Sequence, residues 1–514
     1  MLRIDLPNIH NLQKKGWLGV PLHDKWGNGK PDFISRLLAN CRNPSIFYSE
    51  YLSKLFFETL NQPRPDDLAE IIPGEKTRVP YLNGGLFEED DPNQRGLIFE
   101  EELFKKLFAF FDQYNFTIYE DDPNDHTVAV DPEMLGHIFE NLLEDNKDKG
   151  AFYTPKEIVH YMCQESLIEY LTTWFEGKNY HVQQDTFISF DNAQQASFLS
   201  VNEGHAGQSV LEIAQAAQSN SKIINRSLIE KLLKKQLSDD DKKAVIEHAA
   251  EFNEALDKVK VCDPAIGSGA FPMGLLLEIF TAKQTIHTFT HGDLTTFEPA
   301  TVKLNIIQNS IYGVDIERGA VDIARLRFWL SLVVDEPEPQ ALPNLDYKIV
   351  VGNSLISKLG DDVIEIDWEI KPTNHGLFGA EEAKSIKNIL KQLTELQKNF
   401  FKPNAPKKSL APKIRNLKIE LLIQQLNLMI ISGKAKEHKP SGNKNSTVAK
   451  TQHDLKIANY KNKINSLEAL KTKPEQALEF FDWQLNFAEV MNKEVSENGK
   501  IGFDIVIGNP PYIN

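Results

Sequence analysis

Cysteine is scarce in this chain, which has three in 514 residues: Cys41, Cys163 and Cys262. They lie too far apart for a disulfide framework or a zinc-ligand spacing, and neither a C-x-x-C nor an H-E-x-x-H pattern occurs. We therefore expect no bound metal. The sequence also lacks an apolar run of membrane-spanning length and the apolar core of a signal peptide. These absences predict a cytoplasmic protein without membrane contact.

The chain also has fewer basic than acidic residues, but the two kinds are unevenly distributed along it. The chain has a net charge of −16, whereas residues 384–473 contain 20 Lys+Arg against 5 Asp+Glu, a net +15. The rest of the chain therefore carries −31. Such a polarised chain can present one basic surface to a polyanion, or the segment can be a solvated insertion without a partner. Charge alone leaves both interpretations open.

The stretch V-C-D-P-A-I-G-S-G-A-F at 261–271 predicts a strand, an acidic turn and a glycine loop that opens into a helix. This is typical of a nucleotide-type cofactor site in a doubly wound α/β sheet. Pro272 stands where a dinucleotide loop needs its third glycine, and the Gly-Lys pair of a P-loop is missing. An acidic strand end suits a cationic cofactor, so S-adenosylmethionine fits better than NAD or ATP. A structural turn with two small residues is the alternative.

Two further strands are predicted to end in polar residues. The first, 311–317, brings Asp315 to a position where an acid binds ribose hydroxyls. It follows the glycine loop at an unusually long distance, so we expect residues 281–305 to loop out. The second, 347–351, is followed by Asn353, which can contact an adenine ring or simply form a turn.

Residues 1–145 are predicted to be mainly helical, because apolar side chains recur at helical spacing over 33–60 and 99–116. A turn-rich segment at 80–87, a short strand at 127–130 and a helix from Asp131 complete this region. Next, Thr154 and Pro155 with Glu157 have the pattern of a helix start. A helix N-terminus with a free hydroxyl can also hold a carboxylate, so Thr154 is either an ordinary cap or a cofactor contact.

The last motif is Asn-Pro-Pro-Tyr at 509–512, directly after a predicted buried strand over 503–507. A ring-conjugated amine such as adenine N6 is a poor nucleophile. The Asn509 side-chain oxygen and the Pro510 carbonyl can each accept one amino hydrogen, which directs the nitrogen lone pair at a methyl donor. The Tyr512 ring can stack on a base rotated out of the duplex. Direct methyl transfer would then depend mainly on positioning.

The order of these motifs resembles that of gamma-class N6-adenine DNA methyltransferases: Phe-Tyr-Thr-Pro at 152–155, Asp-Pro-Ala-x-Gly-Ser-Gly at 263–269, then Asn-Pro-Pro-Tyr. Residues 80–87, 319–334 and 481–490 additionally resemble the large single-chain type IIG restriction–modification enzymes. The resemblance covers most of 30–170, 255–360 and 478–514. It implies site-specific adenine methylation of duplex DNA within a restriction–modification or phage-defence system.

The resemblance also implies roles for individual residues. Asn509, Pro510 and Tyr512 would form the target-base site. Contacts with S-adenosylmethionine would come from Thr154 at its carboxylate, Asp263, Gly267 and Gly269 at its methionine end, Asp315 at its ribose and Asn353 at its adenine, with Tyr153, Ala265 and Ile316 as neighbouring cofactor residues.

The expected fold is α/β: an incomplete Rossmann-like methyltransferase sheet preceded by a mainly helical domain. We expect a helical connector at 1–145 and the cofactor-binding part at 146–371. A basic helical insertion is expected at 372–477, with a helical hairpin and a mobile segment at 433–451. The catalytic part would begin at 478–514. Because the sequence ends two residues after Tyr512, we expect a C-terminal half or companion subunit to carry the remaining strands and target recognition.

One observation limits this assignment, and two alternative functions remain open. Pro31-Asp32 and Pro65-Asp66 are not followed by Glu-x-Lys at useful spacing, so we expect no DNA cleavage by this chain. Methyltransferases acting on protein glutamine or ribosomal RNA share the Asn-Pro-Pro-Tyr chemistry, although they generally lack the upstream Phe-Tyr-Thr-Pro motif. A non-catalytic DNA-binding subunit that uses residues 384–473 is the third possibility.

Overall fold

The computed structural model describes residues 9–82, 87, 92–111, 115–116, 129–130, 154–177, 224–359, 362–370, 376–402, 404–436, 445–474, 476–496 and 499–510. Among these residues, no helix is both long and apolar enough to cross a membrane. No group of three or more metal-ligating side chains is arranged around a common point within the same ranges. The structure is mixed α/β, with most helices packed around one parallel sheet.

The described part of the N-terminal region contains several helices and helical turns. It contains a helix over 9–14, α1 (Phe33–Asn40), 3-10 and π-helical turns from Pro44 to Leu60, and α2 (Glu101–Phe111). One feature was not predicted: β1 (Leu68–Ile72) and β2 (Glu75–Arg78) form an antiparallel hairpin. Its second strand, E-K-T-R, has no apolar alternation that would indicate a strand. Two short parallel strands follow, β3 (Asn115–Phe116) and β4 (Ala129–Val130). The helix predicted from Asp131 lies outside the described residues.

A four-stranded parallel sheet organises the rest of the chain. Its strands are β5 (Val261–Asp263), β6 (Ile311–Asp315), β7 (Ile349–Val351) and β10 (Ile505–Val506), in the spatial order β10-β5-β6-β7. The chain runs outward from β5 to β7 and then returns to the other side of β5. In open parallel sheets, ligands bind beyond the carboxyl ends of the strands at such a reversal of order. Here the reversal lies between β5 and β10.

Helices cover one face of this sheet. The strands are contacted by α7 (Ala270–His291), α8 (Pro299–Ser310) and α9 (Arg318–Val333). An outer set of helices packs on these: α3 (156–177), α4 (Arg226–Leu233), α5 (Asp239–Glu247) and α6 (Ala249–Lys258). Residues 281–305 do not loop out, contrary to expectation. They form the end of α7, a short connection over 292–298 and the first part of α8, and Ala282 and Ile286 are buried in the main hydrophobic core.

The opposite face of the sheet is covered by a small aromatic cluster. The strand side chains that point away from the helices, such as those of Tyr312 and Val350, pack against Phe481 and Phe487. These aromatic residues flank two short helices, α13 (Trp483–Asn486) and α14 (Ala488–Met491). Because both faces are covered, the strands read as continuous apolar runs in the sequence, which is typical of parallel sheets.

The basic region forms a helical unit with its own core. α10 (Gly376–Phe401), α11 (Lys407–Lys436) and α12 (Asn445–Lys471) bury Leu393, Ile414, Leu426 and Leu467 against one another. The predicted hairpin is therefore a three-helix unit. The segment 433–451, predicted to be mobile, is helical up to Lys436 and again from Asn445, while 437–444 lie outside the described residues. A small antiparallel pair, β8 (Lys358–Leu359) and β9 (Asp362–Val363), precedes this unit.

Candidate functional site

The glycine loop joins β5 to α7 at the carboxyl edge of the sheet. Gly267 and Gly269 have φ angles of 52° and 88°, a left-handed conformation that glycine adopts without a steric cost. A Cβ atom on Gly267 would have no other atom within 4 Å, so the loop faces open space there. The Asp263 carboxylate at the end of β5 accepts a hydrogen bond from the Ala265 N–H at 3.0 Å. This bond closes the acidic turn that the sequence predicts.

Asp315 links the second strand to the same loop. Its Oδ2 accepts from the Gly267 N–H at 2.8 Å, and its Oδ1 accepts from the Glu317 N–H at 2.9 Å. Each carboxylate oxygen has two lone pairs, so these backbone bonds leave acceptor capacity for ligand hydroxyls. The neighbouring Ile316 side chain is 66% exposed at this edge of the sheet.

The two strand-end acids are held in a poorly solvated place. Asp263 is 1% exposed, and the pKa of its carboxyl is raised to about 8. Burial is the main cause, the Ala265 hydrogen bond opposes the shift, and the nearby Asp315 charge contributes to it. Burial also raises the pKa of Asp315. No described residue donates a hydrogen bond to Asp263 Oδ2. A buried carboxyl with a free oxygen gains most from a cationic partner, which favours its ionised form.

The residues after β10 meet both Asp263 and the start of α3. A Cβ atom on Gly508 would lie 2.5 Å from Asp263 Oδ1, so only glycine allows this approach. The Asn509 Nδ2 donates a hydrogen bond to Thr154 Oγ1 at 3.3 Å. Thr154 lies two residues before the helix over 156–177, and the Pro155 carbonyl, not Thr154 as predicted, accepts the first backbone bonds of that helix. The first and last motifs of the chain, 355 residues apart, are thus in direct contact.

Asn353 makes the turn that the sequence analysis left as its alternative role. Its Oδ1 accepts from the Leu355 and Ile356 N–H groups at 2.9 and 3.0 Å. It also lines a cavity of about 880 Å³ next to Ile316 and Ile356. The side-chain oxygen is therefore committed to the backbone, while the residue still borders a space large enough for a nucleoside.

Sequence reasoning missed three residues of this site: Gly352, Ile356 and Gly508. Gly352 matters because a Cβ atom there would lie 2.5 Å from the Phe481 Cβ, so the 481–487 segment packs directly onto the end of β7. The available signal was a glycine directly after a strand, once in V-V-G-N and once in V-I-G-N. Glycine at a strand end often marks a close approach of another part of the chain.

The described site residues lie along one edge of the sheet. Contacts run from Thr154 to Asn509, from Gly508 to Asp263, and from Gly267 to Asp315. Pro510 is exposed at the end of the described chain. Tyr153 and Tyr512 lie outside the described residues.

The chain is similar to known restriction–modification proteins. Residues 309–514 match the family model of the Eco57I restriction-modification methylase. A protein of Methanocaldococcus jannaschii, described as a type II restriction enzyme and methyltransferase, is 27% identical over an alignment that covers 94% of this chain. The same alignment spans 39% of that relative's own length. These two matches support the resemblance that the motifs predict: the chain is similar to restriction–modification methyltransferases.

Proposed function

We propose that the chain binds S-adenosylmethionine and transfers its methyl group to adenine N6 in duplex DNA. The observation that carries this proposal is that the chain entering the Asn-Pro-Pro-Tyr motif approaches Asp263 at Gly508 and contacts Thr154 at Asn509. It brings a target-amine motif to the strand ends expected to bind the cofactor. The strand order supports the proposal, because the reversal between β5 and β10 lies at this point.

The residues present fit a cofactor that carries an ammonium, a ribose and an adenine. The free Oδ2 of buried Asp263 suits the ammonium, and the open space above Gly267 allows close approach of the ligand to the backbone. Asp315 has acceptor capacity for ribose hydroxyls, and the exposed Ile316 side chain offers an apolar surface for the adenine ring. Bound S-adenosylmethionine would supply an electrophilic methyl group on a sulfonium centre.

The protein's own contribution is to orient the target amine. Asn509 donates from Nδ2 to Thr154, which leaves its Oδ1 to accept a hydrogen from the target amino group. The Pro510 carbonyl would accept the second hydrogen. Two acceptors held by a loop fixed on Gly508 and Asp263 hold the nitrogen lone pair toward the methyl donor. Positioning of this kind lowers the barrier without a covalent enzyme intermediate.

Cofactor binding is tested by calorimetry with S-adenosylmethionine. We expect Asp263→Ala to abolish binding, whereas Asp240→Ala, a matched change at an exposed carboxylate on α5, should leave it intact. Circular dichroism of both variants checks that they fold. Unchanged affinity in Asp263→Ala would remove this site from the cofactor assignment.

Methyl transfer is tested on the full-length protein with radiolabelled S-adenosylmethionine and duplex DNA, followed by nucleoside analysis. We expect label in N6-methyladenine, and its loss in Asn509→Ala with cofactor affinity retained. Label in glutamine or in ribosomal RNA, but not in DNA, would instead support the alternative substrates.

A further inference from the structure

A second cavity lies at the opposite edge of the sheet from the candidate methyl-transfer site. It has a volume of about 270 Å³ and is lined by residues that precede the strands: Lys260 before β5, Asn309 before β6, Lys348 before β7 and Asp504 before β10. The end of α10 closes it with Gln397, Lys398 and Phe401. In a parallel sheet the amino ends of all strands share one edge, so this cavity is separate from the site at the carboxyl edge.

The lining of this cavity is cationic in a chain that is acidic overall. Its five lysines are Lys258, Lys260, Lys348, Lys398 and Lys500, and its two carboxylates are Glu489 and Asp504, which gives a net charge of +3. Lys258 also pairs with Glu254 at 2.6 Å, and counting that carboxylate leaves +2. Clustered charge of one sign at a concave surface concentrates ligands of the opposite sign. The cavity therefore favours an anion.

The two carboxylates are already paired with two of the lysines. Glu489 Oε1 accepts from Lys348 Nζ at 3.0 Å and from the Tyr312 hydroxyl at 3.1 Å, and Asp504 pairs with Lys500. Lys398 makes no ion pair with any residue that the structure describes. Burial lowers the pKa of Lys348, its Glu489 partner opposes this shift, and the charge of Lys398 makes a smaller contribution in the lowering direction. An anion bound between these two ammonium groups would relieve their repulsion.

The remaining walls are aromatic rings and amides. Trp174, Tyr347 and Phe401 border the cavity, and Gln308 and Asn309 supply hydrogen-bonding groups beside them. Aromatic faces with neighbouring amides suit a planar ring, and the lysines suit a phosphate. The enclosure is too small for a duplex, and Lys348 and Tyr312 lie deep within it.

From these observations we propose that the cavity is a second ligand site, which binds a small phosphorylated molecule of the nucleotide class. Its phosphate would lie between Lys398 and the other lysines, with the planar ring against Tyr347 or Trp174. This site is independent of the proposed methyl transfer, because none of the residues assigned to the carboxyl-edge site lines it.

The test is calorimetry on the full chain with three probes: AMP, ATP and inorganic phosphate. We expect AMP to bind, with phosphate weaker because it lacks the ring. Lys398→Ala should weaken AMP about tenfold or more, as the loss of a charge-assisted hydrogen bond does. Lys402→Ala is the matched control, since Lys402 lies just beyond the same helix and outside the cavity.

Two further outcomes decide the proposal. Lys398→Glu should abolish AMP binding while S-adenosylmethionine affinity stays unchanged, which separates this site from the cofactor site. If none of the three probes binds the wild type, or if Lys398→Glu leaves AMP affinity unchanged, the proposal is wrong. Binding of duplex DNA that Lys398→Glu weakens, without binding of AMP, would also overturn it, because the surface would then serve a polyanion.

Discussion

The buried carboxyl of Asp263 predicts that cofactor affinity depends steeply on pH. Its pKa is raised to about 8, so at neutral pH the group is mostly protonated in the ligand-free protein. A cationic amine binds the ionised form. Apparent affinity is the intrinsic affinity multiplied by the fraction of protein in the competent state. Below the pKa that fraction falls tenfold for each pH unit, so about 1% is ionised two units below it.

The expected dissociation constant for S-adenosylmethionine therefore rises about 100-fold when pH is lowered from 7.5 to 5.5. Measurements belong in this window because the α-amino group of the ligand itself loses its proton near pH 8. Calorimetry in several buffers should also show that a proton is released on binding. Asp263→Asn cannot ionise, so its weaker affinity should be flat over the same range. A wild-type affinity that does not change between pH 5.5 and 7.5 would refute the reasoning.

The same carboxyl affects stability with a definite sign. Its pKa is higher in the folded protein than in the unfolded chain, where it is about 3.9. The folded state therefore binds more protons between these two pH values. The resulting stabilisation is fully present below the pKa that the group has in the unfolded chain. Stability contributed by Asp263 should decline as pH rises from about 4 to about 8. Urea unfolding of the ligand-free protein should show this decline, and Asp263→Asn should lack this contribution to it.

Three substitutions test other contacts. Thr154→Val removes the hydroxyl that holds Asn509, so we expect a several-fold lower kcat. Thr154→Ser should restore kcat. A loss of cofactor affinity instead would assign Thr154 to the cofactor carboxylate. Gly508→Ala places a methyl group against Asp263, which should cost about 1–3 kcal/mol in urea unfolding; an unchanged midpoint would contradict this close approach. Glu489→Gln leaves Lys348 buried without its anionic partner, so the free energy of unfolding, measured with urea and by heating, should fall by about 3–5 kcal/mol. An unchanged free energy of unfolding would mean that the Lys348 ammonium is hydrated.

The strands at the site were predictable because each combines a short apolar run with a polar or glycine residue at its end. Val261–Asp263 and Ile311–Asp315 show this pattern without ambiguity. The end of α7 was missed because residues 281–291 are rich in Thr and His, which are weak helix formers. Burial of Ile286 in the core stabilises helix there regardless of propensity. The E-K-T-R strand of the N-terminal hairpin was missed for a similar reason, since its pairing depends on its partner strand.

The contacts that define the site could not be derived from local sequence. Gly508 approaches Asp263, and Thr154 contacts Asn509, although hundreds of residues separate the partners in the sequence. The residue types indicated which groups would bind a cofactor or an amine. The distances between these groups depend on β10 returning beside β5, and the sequence of the predicted strand over 503–507 does not indicate which strand it pairs with. For Asn353 the pattern gave two roles, and the structure shows the turn.

Two buried thiols offer a built-in measure of how often this region opens. Cys262 lies in β5 directly before Asp263, and Cys163 on α3 donates to the Phe271 carbonyl at 3.3 Å. Burial raises the pKa of both thiols, which makes them inert to alkylating reagents in the closed state. A reagent can therefore modify these thiols only when the sheet opens locally at β5 or when α3 and α7 separate. The rate of alkylation, measured by mass spectrometry with and without ligand, would report how often this region opens locally, and no engineered label is needed.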